Sequence, residues 1–184
     1  MDRLETKRFQ PALALHALIV LDLNREAYDL RSRATAGEMG IVVAASFAAH
    51  LIEHRHQVGL ALLGTDQVSG ATGFQSIRLA HGRDHLMRLL EALARAEMAP
   101  TAPLPGLLTT ASAGLGWGSS LIVIVPGDEP ALLPALLQMR RRGLLPVVIA
   151  TDPLIPFAGL RDELKQVGIP AVAVTQDSEM DLWR

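Results

Sequence analysis

The chain has 184 residues, enough for one domain with a substantial core but short for two, and its lack of cysteine excludes disulfides, thiolate metal sites and cysteine nucleophiles. Hydrophobic residues make up 49% and aromatics only 4%, so the core is aliphatic and stacking platforms for bases or sugars are scarce. A net charge of -2 gives no electrostatic case for nucleic acid or for an anionic membrane.

In chain order, residues 1–12 read as a lead-in. "MDRLETKRFQ" has no apolar segment directly after its basic residues, so it does not read as a signal peptide. "LALHALIVL" is too short to span a bilayer and contains His16; no apolar run reaches that length, and the chain is expected to be cytoplasmic. Residues 13–23 read as a strand and 36–54 as a long helix of small apolar residues suited to lying flat on a sheet. Residues 57–64 form a short buried strand, and "FQSIRLA" (74–80) alternates as an edge strand would. A helix over 83–97 places Leu86, Leu89, Leu90 and Leu93 on one face. The Pro-rich "APTAPLPG" (99–106) precedes a weak helix around 107–115 and a central strand at 120–126. A helix over 129–143 has Pro130 in its first turn and three arginines in its last, with Gly143 beyond. A strand at 145–151, a helix near 157–167 and a strand at 170–175 complete the domain, 13–176, before a tail at 177–184. Strand–helix alternation with near-continuous apolar strands predicts an α/β fold with a parallel sheet covered on both faces.

Ligands of such sheets sit beyond the carboxyl ends of the strands, where the strand order reverses. The first strand runs out at "LIVLDLNREAYD", where Asp22, Asn24 and Glu26 alternate. The expected crevice is lined by these three, by Gly127 and Asp128, and by the turn "HGRDH" with Arg83 and Asp84. Oxygen ligands at this spacing suit a divalent cation. A von Willebrand A-type metal site uses a D-x-S-x-S turn, a threonine from a second loop and an aspartate after the fourth strand. Here Asn24 and Glu26 replace both hydroxyls, Arg83 and Asp84 stand where the threonine is expected, and Asp128 comes one residue late after Pro126-Gly127. The D-x-D-x-T loop of haloacid dehalogenase-type phosphatases fits no better, because Asn24 cannot exchange the proton a second carboxyl would. The remaining reading is that Asp22 and Asn24 accept backbone N–H bonds and shape the turn.

Other motifs read as structure. "HLIEH" (50–54) has the H-x-x-E-H spacing of inverted zinc peptidases, but it closes a helix at the end away from the crevice. "GLGWGSS" (114–120) precedes a strand, whereas a dinucleotide loop follows one. "RRR" (140–142) reads as a solvated helix end whose position could serve an acidic partner.

"LETKRFQPALALHALIVLDLN", "AASFAAHLIEHRHQVGLALLG", "HLMRLLEALARAE" and "LGWGSSLIVIVPGDEPALLPALLQMRRRG" together resemble the C-terminal portion of the bacterial domain of unknown function 58 (DUF 58) family. The resemblance covers most of residues 4–150. It implies a von Willebrand A-like, Rossmann-like three-layer sandwich, its mostly parallel sheet carrying one antiparallel edge strand and usually a degenerate metal site. It also implies a non-catalytic interaction or adaptor domain acting with a MoxR-type AAA+ ATPase, on the cytoplasmic face of the membrane if part of a longer anchored protein. The expected binding rim is Asp22, Asn24, Glu26, Arg83, Asp84 and Asp128, with no cofactor. The alternative is a divalent-metal-dependent hydrolase or phosphatase using Asp22 and Asp128, with Asn24 as a further ligand.

Overall fold

A computed structural model of the chain describes residues 16–129 and 131–174. The expected lead-in, the tail and Pro130 lie outside them. Within the described residues the order is β1 (His16–Asp22), a 3-10 turn (Arg25–Ala27), α1 (Arg33–Glu53), β2 (Gln57–Asp66), β3 (Thr72–Ala80), α2 (Arg83–Ala94), β4 (Ala96–Glu97) and α3 (Leu104–Ala111). Then come β5 (Ser120–Val125), α4 (Leu132–Arg141), β6 (Leu145–Ala150), α5 (Ala158–Gln166) and β7 (Ala171–Ala173).

The strands form one sheet in the order β3-β2-β1-β5-β6-β7, with β4 pairing separately to β2. β1 is parallel to both β2 and β5, so the strand order reverses at β1 and the expected neighbours, the first strand and the strand of residues 120–125, lie side by side. β3 is the antiparallel edge. The fold is therefore α/β with a mostly parallel sheet, as expected. The two-residue β4, antiparallel to Thr65 and Asp66, has no counterpart in the sequence reading.

Alternation along the central strands sends side chains to two apolar layers. Leu18, Val20, Leu121, Val123 and Val125 pack under α3, α4 and α5 with Leu108, Leu136 and Leu164. Ile19, Leu21, Ile122 and Ile124 pack under α1 and α2 with Val43, Ala48 and Leu89. α1 is long and apolar enough by composition to cross a bilayer. Its buried Gly40, Ala44 and Ala48 nevertheless form a stripe of small residues against the sheet. At Gly40 a Cβ would stand 3.0 Å from Leu21 Cδ1, so the small side chains set how closely the helix lies.

Candidate functional site beyond the strand ends

Asp22 ends β1, and its side chain is fully enclosed. Its Oδ1 accepts the N–H of Asn24 at 2.8 Å, while its Oδ2 is buried with no hydrogen-bond partner among the described residues. Burial pushes the carboxyl up to about 6 from an ordinary 3.8, and the Asn24 N–H offsets part of that rise. Tyr28, also buried, donates its hydroxyl to the backbone carbonyl of Asp22 at 2.6 Å. Desolvation and the neighbouring charge of Asp22 hold its phenol well above the usual range.

Asn24 caps the 3-10 turn. Its Oδ1 accepts N–H groups from Glu26 at 3.3 Å and from Thr101 at 3.2 Å. Two further backbone bonds, Arg25 N–H to the Ala99 carbonyl and Ala99 N–H to the Leu23 carbonyl, complete the splice between this turn and residues 99–101. The loop that reaches Asn24 is thus the Pro-rich one. "HGRDH" does not: Ala80 pairs with Val58 at the start of β2, whereas Asp22 pairs with Leu63 near its end. Arg83 and Asp84 consequently open α2 at the opposite end of the sheet, which removes both from the expected rim. An antiparallel edge strand returns the chain to the far end, a reversal that no residue of the turn itself signals.

After β5 the chain turns through Pro126 and Gly127. Asp128 is exposed and donates its N–H to the Pro156 carbonyl at 3.0 Å, whereas Glu129 is half-buried and its Oε2 has no hydrogen-bond partner among the described residues. Burial and then the charge of Asp22 push Glu129 up to about 7 from 4.5, offset in part by a backbone hydrogen bond from Leu104 at the start of α3. The carboxylate facing Asp22 is therefore Glu129, not Asp128.

A third buried carboxylate, Asp152, follows β6. It accepts Ser32 Oγ at 2.6 Å, Leu154 N–H at 2.9 Å and Asp29 N–H at 3.1 Å, tying the β6 end to the start of α1. The sequence carried its signal, an apolar run "LLPVVIATD" stopping at an aspartate as the first strand does. Around this clamp the rim exposes Leu30 (71%) and Leu154 (45%), with Glu26 and Asp128 exposed on the same end of the sheet.

The expected ligands Asp22, Asn24 and Asp128 do not fit a divalent ion. Asn24 Oδ1 already receives two N–H donors, and Asp128 is turned outward. Among the described residues no three His, Cys, Asp or Glu side chains gather as a metal centre requires.

Sequence comparison matches the chain to no family model and to no curated protein. Solved structures do resemble it. The pilus adhesin SpaC from Lactobacillus rhamnosus GG, in its open conformation, superposes over 95% of this chain and 29% of its own, with 12% identity and a TM-score of 0.63. A von Willebrand factor type A protein from Catenulispora acidiphila covers 88% of this chain and 39% of its own, at 12% identity and a TM-score of 0.58. An aerotolerance-related membrane protein from Bacteroides fragilis NCTC 9343 covers 91% and 94%, at 15% identity and a TM-score of 0.55. The chain thus spans about a third of the length of the first two and nearly all of the third. With the sheet order and the crevice position, these likenesses establish a von Willebrand A-like fold.

Proposed function

We propose that the chain is a non-catalytic protein-interaction domain, the von Willebrand A-like part of a DUF 58 protein, acting as an adaptor to a MoxR-type AAA+ ATPase. The observation that carries this reading is the division of labour at the crevice. Its inner polar groups, Asn24 and Asp152, are spent on holding loops together. Its outer residues, Leu30, Leu154, Glu26 and Asp128, offer apolar anchors within a charged rim that also carries Arg25 and Arg31. Interfaces draw affinity from such anchors and orientation from rim charge. A metal site that no longer gathers ligands, with its turn kept for shape, belongs to the same reading. A hydrolase built on Asp22 and Asp128 lacks a geometric basis, since only one of the two faces inward.

The test is binding between the purified domain and a MoxR-type ATPase encoded beside its gene. Glu26→Lys with Asp128→Lys is expected to weaken association at least tenfold through the on-rate, and Leu154→Ala to speed dissociation. Full affinity in all three variants would sink the proposed rim.

A further inference from the structure

The two ends of the sheet differ in charge. Toward the carboxyl ends of the parallel strands, carboxylates such as Glu26, Asp66, Asp128 and Asp152 outnumber the arginines there, Arg25, Arg31, Arg33 and Arg95. The opposite end collects Arg55 after α1, Arg83 at the start of α2, and Arg140, Arg141 and Arg142 at the end of α4. All six histidines of the chain fall at this same end, at the first residue of β1, around the exit of α1, and at the entry to α2. In return, the last turn of α1 and the first of α2 contribute Glu53 and Asp84.

An aromatic residue stands in this basic face. Trp117, between α3 and β5, is 88% exposed, and Leu145 at the start of β6 is 56% exposed. The indole lies over a turn that is itself fixed by a backbone bond. Gly118 N–H donates to the Gly143 carbonyl at 2.8 Å, and the ring lies against Gly143, where any Cβ would overlap it. Gly143 also has a positive φ of 84°, the backbone conformation that favours glycine between the arginines and β6. Arg142 Nη1 donates to Ser112 Oγ at 3.1 Å, bracing the end of α4 against α3, while Arg140 and Arg141 are exposed at the same helix end, Arg140 reaching toward Gly168 after α5.

We infer that this end of the domain docks on an anionic lipid bilayer, with Trp117 entering the headgroup layer and Arg140, Arg141 and Arg55 meeting the lipid charges. Tryptophan favours the depth where an apolar ring and a polar N–H are both satisfied. The basic groups come from several elements across the width of the sheet, and a planar field of headgroups attracts each of them without requiring a register. An acidic peptide would instead need them aligned along one path. The carboxylates at the far end are repelled by the same surface, which gives one orientation and leaves the crevice rim facing away from the bilayer.

The experiment is co-sedimentation of the full chain with phosphatidylcholine vesicles, with and without phosphatidylserine, at low and high salt. Binding is expected only with phosphatidylserine and is expected to weaken as salt screens it. Arg140→Glu with Arg141→Glu should cut the partition at least about thirtyfold, since each basic residue near such a surface contributes roughly a factor of five. In a Trp183→Phe background Trp117 is the sole tryptophan. Its emission should then shift to the blue and be quenched by brominated lipid, and Trp117→Ala should lose binding several-fold. Circular dichroism melts matching the parent establish that each variant is folded. Equal sedimentation of the double arginine variant, or no sedimentation of the parent, overturns the inference. So does polyglutamate that displaces the chain from vesicles while indole emission stays unshifted, which would assign the face to an acidic polypeptide.

Discussion

Asp22 is enclosed on all sides, yet only one of its two carboxylate oxygens is satisfied among the described residues. Its neutral form is therefore favoured in the fold, and the sign of the pH dependence follows. Between about 4 and 6 the folded chain binds a proton at Asp22 that the unfolded chain has released. The associated stability is fully present below about 4 and is lost as pH rises through about 6. Glu129 extends the loss toward 7 in the same direction. Denaturant unfolding should accordingly show a chain more stable at pH 5 than at pH 8. Asp22→Asn keeps an acceptor for Asn24 N–H and removes the buried charge. At pH 8 it should gain roughly 2–3 kcal/mol, about half of that at pH 5, and little at pH 3. Equal stability of parent and variant at pH 8 would show that Asp22 is solvated or cation-bound in solution. The alternation Asp22-Asn24-Glu26 was legible because an apolar run stops abruptly there. Which of two adjacent carboxylates turns inward after β5 was not, because the backbone decides it: Ile155 packs onto Gly127 where a Cβ would sit, and the Asp128 N–H is drawn to Pro156.

At the scale of elements, the decisive piece is β4. Two residues cannot show alternation, and its helical-looking surroundings hid it in the sequence. It lies against Gly64 of β2, where an added Cβ would stand 2.6 Å from the Glu97 carbonyl oxygen and 3.3 Å from Leu23 Cβ. That contact seats residues 96–101, which in turn bond Asn24 and shape the crevice. Gly64→Val should cost about 1–3 kcal/mol by overpacking. Hydrogen exchange should also quicken at the Arg25 and Ala99 amides, which bond across this splice. Unchanged protection at both amides would mean that the loop is seated by something other than β4.

At the scale of the whole molecule, the core rests on β1 and β5, whose side chains feed both apolar layers. Val123 is fully buried at the middle of β5, among aliphatic neighbours that offer no partner for a charge. Val123→Asp should leave the chain insoluble or without a cooperative melt, because burying an unpaired carboxylate costs more than a domain of this size can lose. A soluble variant with a sharp melt would show that the strand is not interior. The charge distribution belongs to this scale as well: a net charge of -2 conceals a described region in which carboxylates predominate at one end of the sheet and basic groups at the other.

Apart from β4, the sequence by itself determined the order of strands and helices and the parallel core, because apolar periodicity is a local property that each segment carries alone. It also determined that polar chemistry gathers where β1 ends, since an apolar strand that stops at Asp22 marks its own carboxyl end. Only the tertiary structure decided which residues meet there. Asn24 found Thr101 rather than Arg83, because β3 runs antiparallel and returns the chain to the opposite end of the sheet. Asp22 found Glu129 rather than Asp128, because a glycine turn packed on Ile155 sets which side chain faces inward. Trp117 came to stand at the end where α4 closes in arginines because two turns, far apart in sequence, close at the same end of adjacent strands. Composition sums charge over the chain, whereas recognition depends on where the fold places it.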